Sequence, residues 1–390
     1  MLSVDQLRDL INARVAPLAA RQVALSEARG LRLAQEVLAP SDEPAFDRSA
    51  MDGFAIEIGA SAGFFRVVGE SLPGGAVPRG VAAGEALRVF TGSALPPGVR
   101  VVMQEDTESL GDGVQVRAIG RPTHVRLRGS AVRQGGKVLP EGCLLSPACL
   151  AILAAAGVVR PRVTGRPGVA HLTTGTEIIE ASREPAPGQI RNTNAPLIQA
   201  LLEESGASLL AHRHAGEDPR EALAICREDA FEQADVLLIS GGSSGGAHDH
   251  TGEILEALGF EIVCRRVNCR PGKPLIIGVK EGRVALGLPG NPLSHFVTFH
   301  VFVRHVLSRL AGLPVAAWKK QRLCPGEVIA ADSRETFWPA TLSEGGVSAL
   351  PWLDSGHLNA LAGVNALIRV PGGEKPLAGE FVEVVSCGSF

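Results

Sequence analysis

The spacing of apolar side chains divides this chain into stretches of different texture. Between residues 3 and 16, Val4, Leu7, Leu10 and Ile11 recur at helical spacing, and Ser3 with Gln6 forms a capping-box signature. A second helical pattern is expected from about 25 to 38, with Pro40 just beyond it. From 44 onward the pattern becomes one of short β-like runs, FFRVVGE and ALRVFTG among them, separated by many Gly and Pro. That texture predicts a small β domain. KVLPEG, starting at Lys137, reads as a further strand, and Ser146-Pro147 supplies an N-cap and a first-turn proline for a helix ending near Gly157. This segment is expected to pack back on the N-terminal helices, which makes the β domain an insertion in a discontinuous helical domain.

The strongest periodicity follows. VAHLTT, SLLAHRH, DVLLIS, FEIVCRRV, PLIIGV and RVALGL alternate with helix-like segments between 166 and 312. One helix is expected from Asn194 to Glu204, with Leu197, Ile198, Leu201 and Leu202 inward and Gly206 closing it. Asp218-Pro219-Arg220-Glu221 combines an N-cap, a first-turn proline and a Glu that can reach back, and Asn291-Pro292 opens a last long helix ending near Gly312. Strands alternating with helices predict a doubly wound, mainly parallel sheet. The fold class is therefore multidomain α/β plus β. Its expected parts are a helical N-terminal domain (1–43 and 137–165), an inserted β domain (44–136), a central α/β domain (166–312) and a C-terminal β domain (313–390).

Composition narrows the partners. With 38 basic and 41 acidic residues in 390, the net charge is −3, which gives no reason to expect nucleic acid or a membrane surface. No apolar run reaches the roughly 18 residues a spanning helix needs, and the N-terminus lacks a signal-peptide pattern. The seven cysteines are odd in number and scattered, so reduced thiols in a cytoplasmic protein are expected.

In a doubly wound sheet, ligands gather at the carboxyl ends of the strands. The turns there are unusual. DVLLIS runs into Gly241-Gly242-Ser243-Ser244-Gly245-Gly246, a loop that can aim N–H groups at phosphate or serve as a plain connection; it is neither a Walker loop nor a dinucleotide fingerprint. Arg270-Pro271-Gly272-Lys273-Pro274 sets two cations beside a tight turn, suited to a phosphate or oxyanion. Pro289-Gly290-Asn291-Pro292 is a rigid turn in which Asn291 is an N-cap candidate. Glu177, Asp218 and Asp249 are three acids near one sheet edge, oxygen ligands of the kind Mg²⁺ prefers. His248 and His250 flank Asp249 as further candidate ligands. His295, His300 and His305 recur every five residues, about 140° apart on a helix, and form no ligand face.

Several motifs in order carry more than any one of them. PAFDRSAMDGFAI, FTGSALPPG with VVMQEDT, TGTEI, GQIRNTN, DVLLISGGSSGG, RPGKP, GLPGNP and the C-terminal SGHLNALAGVNALI together resemble the molybdopterin molybdenumtransferase family, which includes the gephyrin E-domain group. The resemblance covers nearly the whole chain. It implies a four-domain protomer, a homodimer, and insertion of molybdate into adenylylated molybdopterin with release of AMP, assisted by Mg²⁺ or another divalent cation. It further implies Asp52, Thr91, Glu177 and Lys273 as catalytic residues and Asp218 and Asp249 as metal-side groups. Gly241, Gly242, Ser243, Arg266, Arg270, Pro289 and Asn291 are implied as substrate-binding.

The chain departs from the family pattern at defined places. An Arg-Gly-Glu-Asp run is here Arg128-Gly129-Ser130-Ala131, and Thr-Gly-Asp-Glu is Thr174-Gly175-Thr176-Glu177. The Gly-rich loop lacks its usual Val-Ser-Val-Gly continuation and Asp-Tyr has become Asp249-His250. Two lysines are Arg266 and Arg270, and a Ser-Ser pair is Asn359-Ala360. Fewer acids and more arginine make the implied pocket more cationic, which suits molybdate or a changed oxyanion such as tungstate. The alternative functions are a non-catalytic paralogue that binds the pterin cofactor as carrier, scaffold or regulator, and hydrolysis of another nucleotide-linked anhydride.

Overall fold

The computed structural model describes residues 1–241, 250–327 and 329–388. The chain forms two compact units. One contains Met1–Gln22, Gly30–Arg32 and the chain from Arg162 onward; the other contains Val23–Arg29 and Leu33–Pro161.

The first unit is organised by a six-stranded sheet. Its strands are β1 (Gly168–Thr174), β2 (Ser208–Ala215), β3 (Val236–Ser240), β4 (Glu261–Cys264), β5 (Ile276–Lys280) and β6 (Arg283–Leu288). Their spatial order is β2-β1-β3-β6-β5-β4, parallel as far as β6 and then antiparallel through β5 and β4. The central strands β1, β3 and β6 are largely apolar on both faces, as expected for a sheet covered on both sides. Val169, Val236, Leu238, Val284 and Leu286 point into one core, with the helices Asn194–Glu204 and Pro292–Thr298. Ala170, Leu172, Leu237, Ile239 and Ala285 point into the other, against the helices Pro219–Cys226 and His250–Ala257. The helix from Pro292 runs through a π-helical turn at Phe299–Val303 and on through Arg304–Leu310, with Phe299 and Phe302 fully buried.

Helix Val4–Arg14 begins with the expected reciprocal cap between Ser3 and Gln6. It contributes Val4, Leu7 and Ile11 to the first of these cores. A second sheet of the same unit runs Cys269–Arg270, Glu335–Ser343, Ala366–Val370, Phe381–Ser386 and Lys319–Arg322, with Gly346–Ala349 paired to Glu335–Ser343. One of its faces encloses Leu323, Ala340, Val347 and Ile368, while Phe337, Leu367 and Val385 join the larger core. Arg369, nearly buried, binds Asp5 at 2.6 Å, Glu383 at 3.1 Å and Glu335, tying this sheet to the first helix.

The other unit holds a sheet in the order Val99–Met103, Gly53–Glu57, Glu85–Val89, Gly63–Ser71, Gly113–Val116, Thr107–Leu110. Ala55, Leu87, Val89 and Val101 fill one face of it, and Ile56, Ala86, Val102 and Val114 the other. Lys137–Leu139 pairs antiparallel with Val37–Leu38, and helix Pro147–Ala155 begins at an N-cap Ser146.

One expected element is absent. The segment 25–38 is not a helix: a single 3₁₀ turn, Leu25–Glu27, is followed by Gly30 at φ 75°, extended chain, and the strand Val37–Leu38. Ala28 is buried in the turn, and along the extended chain after Gly30 the buried residues are Leu31, Leu33, Val37 and Ala39, all at even separations. Period two wins because the backbone finds distant partners: Leu33 N–H donates to the Cys143 carbonyl and Arg32 O accepts from Thr164. Among the described residues, no helix is long and apolar enough to cross a membrane.

Leu238 is fully buried at the centre of β3. Leu238→Ala is expected to lower stability by about 2–5 kcal/mol, and Leu353→Ala, at an exposed position, by less than about 0.5 kcal/mol. Urea unfolding checks both; equal effects would show that the core is not organised around β3.

Candidate functional site

The order of the strands creates a switch point between β1 and β3, because the chain leaves β1 toward one edge and β3 toward the other. Such points leave a crevice at the carboxyl end of a sheet. Here a cavity of about 840 Å³ opens at that place, lined by the chain following β1, β2, β3 and β6, by 270–274, and by Arg334, Trp352, Asp354 and Ser355. Gly241, at φ 106°, ends β3 there. A Cβ on it would stand 2.5 Å from the Thr174 carbonyl oxygen, so only glycine lets the ends of β1 and β3 converge. Thr251 Oγ1 donates to the Gly241 carbonyl at 3.1 Å.

One side of the cavity is acidic. Glu177, Glu217 and Asp218 follow β1 and β2. Asp218 caps helix Pro219–Cys226 by accepting the Arg220 N–H at 2.9 Å, and its other oxygen meets the Arg220 guanidinium at 3.0 Å. The Arg220 side chain is the chief cause of its lowered pKa. Glu221 does not close a capping box on Asp218; it accepts the N–H of Gly216 at 3.0 Å and so ties the loop after β2.

The other side is cationic. Gly272 turns the chain at φ 112°, where a Cβ would lie 2.7 Å from Thr298 Cγ2. Arg270 binds Asp332 at 2.6 Å and its guanidinium lies 5.1 Å from the ring centre of Trp352. Arg334 shares the same carboxylate at 3.4 Å. The Arg334 N–H is the largest of the contacts that hold Asp332 below the usual carboxylate range. Two arginines against one acid leave a net positive charge. Lys273 is exposed, and among the described residues its ammonium has no ion-pair partner.

Beneath the cavity lies a buried polar layer. Ser240 Oγ contacts His171 Nε2 at 2.6 Å and His295 Nε2 at 3.4 Å. His295 Nδ1 is 3.1 Å from the Pro289 carbonyl, so Nδ1 carries the proton and Nε2 accepts from Ser240. Asn192 Nδ2 donates to Thr173 Oγ1 at 3.0 Å, and Thr173 also meets His214 Nδ1 at 3.1 Å. Burial lowers both imidazoles: His171 well below its ordinary value and His295 to about 4. Neutral histidines therefore support the floor of the site.

The structure gathers Glu177, Asp218, Gly241, Arg270, Lys273, Pro289 and Asn291 around this cavity. Asn291 does not use its side chain as a cap; Nδ2 donates to Ser355 Oγ at 2.6 Å and joins the turn after β6 to the C-terminal part of the unit. Arg266 is exposed and does not line the cavity. Its neighbour Val267 is fully buried and bridged to Leu2, which turns residue 266 the opposite way. Gly242, Ser243, His248 and Asp249 lie outside the described residues. Asp52 and Thr91 belong to the other unit, where Asp52 Oδ1 accepts both the N–H and the hydroxyl of Thr91 at 2.7 Å. The backbone bond, then the hydroxyl, hold that carboxyl below its ordinary pKa.

Comparison with known proteins agrees with this layout. Residues 2–157 match the MoeA N-terminal region (domain I and II), 170–309 a "Probable molybdopterin binding domain", and 324–387 the MoeA C-terminal region (domain IV). A molybdopterin molybdenumtransferase of Staphylococcus aureus is 30% identical over 93% of this chain and 90% of its own length, and one of Staphylococcus epidermidis is 29% identical over the same shares. The crystal structure of a molybdopterin biosynthesis MoeA protein from Pyrococcus horikosii superposes with a TM-score of 0.84 at 27% identity, covering all of both chains. The chain belongs to the molybdopterin molybdenumtransferase family.

Within that family the departures now have locations. Thr176, where the resemblance expects an acid, is exposed and is not part of the cavity lining, whereas Glu177 is. Ser130 and Ala131 lie in the other unit, where Arg128 binds Asp42 at 2.7 Å. Sequence reasoning missed Arg334, Trp352 and Ser355 as lining residues, and the Ser240 layer beneath. Ser240 closes the DVLLIS run and Asn192 stands in GQIRNTN, so both were within recognised segments; Trp352 and Arg334 carry no local signature.

His171, His295, His300 and His305 are all buried, with His300 lowered to about 3 and His305 to about 4, chiefly by burial. Below the ordinary value of 6.5 the unfolded chain takes up protons that the folded chain refuses, so stability falls as pH drops from about 6.5 toward 4. For one fully shifted histidine the loss is a few kcal/mol, on the order of 1.4 per pH unit. Urea midpoints measured across this range should decline, and His295→Gln should flatten the slope. A wild-type midpoint constant from pH 6.5 to 4.5 would contradict it.

Proposed function

We propose that this protein inserts molybdate into adenylylated molybdopterin, releasing AMP and the finished cofactor. The observation that carries the reading is the cavity at the β1/β3 switch point, acidic on one side and cationic on the other, in a chain of this family. Its size suits a small organic substrate. Lys273, unpaired among the described residues, addresses a phosphate oxygen or the oxyanion; Arg270, stacked and held by Asp332, adds fixed positive charge. Both lower the cost of charge developing on AMP as the anhydride breaks. The backbone at Gly241 approaches the substrate, and Pro289 and Asn291 shape the wall. Glu177 is assigned to the catalytic set. Asp52, Thr91, Gly242, Ser243 and Asp249 keep the roles the family resemblance gives them, and Arg266 has only its general positive charge in support.

The described residues do not fit a resident metal cage. No group of three or more His, Cys, Asp and Glu side chains is placed so that it could hold a metal ion among them, and both oxygens of Asp218 already meet Arg220. Mg²⁺ commonly uses one or two carboxylates plus substrate phosphates. A divalent cation would therefore be held chiefly by the substrate's own phosphates, with Glu177 and Asp218 as the neighbouring carboxylates, and would supply neutralisation of phosphate charge. The homodimer implied by the resemblance belongs to the same proposal.

The test is AMP release from adenylylated molybdopterin with Mg²⁺, with and without molybdate. Molybdate-dependent release is expected, reduced about 10²-fold in Lys273→Ala and within about twofold of wild type in Arg266→Ala. Binding without AMP release under molybdate or tungstate would sink the enzyme reading and favour a cofactor carrier. The unfavourable observations, Thr176 for an acid and Asp218 engaged by Arg220, point that way.

A further inference from the structure

Two cysteines in the other unit are placed for chemistry that the transferase reaction does not use. Cys143 follows the strand Lys137–Leu139, and Cys149 lies in the first turn of helix Pro147–Ala155. Their sulfurs are 3.7 Å apart and both side chains are half-buried. A disulfide bond is about 2.05 Å long, so closing the pair needs a shift of under about 2 Å. The remaining thiols differ. Cys226, Cys264, Cys269 and Cys387 are buried, and burial pushes Cys226 and Cys269 up to about 12. Cys324 is half-buried, and its contact is the Gly345 carbonyl at 3.9 Å.

The two sulfurs are also unequal. The Ser146 hydroxyl donates to Cys149 Sγ at 3.3 Å and accepts the Cys149 N–H at 3.3 Å. That hydroxyl is the first cause of the lowered Cys149 pKa, and the contact with Cys143 adds to it. Cys143 moves the opposite way, first through burial and then through Cys149. Of the two thiols, Cys149 is therefore the readier to lose its proton. A thiolate in the first turn of a helix is further favoured by the helix dipole.

We propose that Cys143 and Cys149 form a redox-active dithiol, with Cys149 attacking a low-molecular-weight disulfide and Cys143 resolving the product. The Cys149 thiolate bonds to one sulfur of the small disulfide while the other sulfur leaves as a thiolate with the bonding pair. Cys143 loses its proton to water, attacks Cys149 Sγ, and expels the second small thiolate. The two protein thiols are oxidised to one disulfide, and the small disulfide is reduced to two thiols. Cross-linking residues six apart closes a short loop, which constrains the unfolded chain less than a long-range link would. The pair thus serves reversible chemistry, as a modification site for cellular disulfides.

The experiment treats the intact protein with oxidised glutathione and maps the peptides under non-reducing conditions. The wild type is expected to lose two titratable thiols as a Cys143–Cys149 link, reversed by dithiothreitol, with little mixed disulfide. Cys143→Ser should trap glutathione on Cys149, and that adduct should form several-fold faster than one on Cys324, because the Ser146 hydroxyl and the helix N-terminus favour a thiolate at Cys149 whereas Cys324 Sγ meets a carbonyl oxygen. The same mapping of the wild type needs no variant to fold. No Cys143–Cys149 link in the wild type, or reaction at Cys149 no faster than at Cys324, would overturn the proposal.

Discussion

Every strand at the centre of the first unit is apolar on both faces, and the molecule around it follows from covering them. Val236 and Leu238 face one core while Leu237 and Ile239 face the other. Water must be excluded from both sides, so helices pack on each, and the loops that can carry chemistry are left at the strand ends. The parallel direction of β2, β1, β3 and β6 then brings four carboxyl ends to one edge. The reversal of winding beside β1 opens the crevice. Gly241 marks how tight the arrangement is, since any side chain there would collide with Thr174.

Charge is divided across that crevice by the same topology. The acids come from loops after the outer pair β1 and β2, and the cations from the 270–274 turn, which leads from the second sheet back into β5. Asp332 holds Arg270 and Arg334 close together without neutralising both. Trp352 fixes the plane of Arg270, which favours directed recognition over a mobile point charge. Beneath, the Ser240 hydroxyl joins the Nε2 atoms of two neutral histidines in the dry interior. A charged imidazole there would face a large desolvation cost, and the lowered His171 and His295 values express it.

The dithiol at Cys143 and Cys149 rests on a different principle. A Ser N-cap exists to satisfy helix N–H groups, yet Ser146 also reaches the sulfur three residues on. One hydroxyl thereby starts a helix and tunes a thiol, so local stability and reactivity are joined in a single turn.

Local chemistry made much of this legible beforehand. Ser3 with Gln6, Ser146 with Pro147 and Asp218 with Pro219 announce helix starts, because caps are satisfied within one turn of chain. Runs such as DVLLIS announce strands buried on both faces, and the ordered motifs announce the family. Contacts between distant residues were beyond reach. The extended path at 31–39 depends on carbonyl and N–H partners at 135–164, far along the chain, and helical spacing of leucines cannot reveal them. Asn291 has a capping residue's identity and position, but Ser355 takes its amide. Arg266 and Arg270 look equivalent in the sequence; burial of Val267 turns one to solvent, while Asp332 and Trp352 draw the other to the cavity. The sequence by itself determined which segments turn, cap and pair, because those choices are made by neighbours along the chain. Only the tertiary structure decided which charges meet, since that depends on packing that closes loops of tens to hundreds of residues.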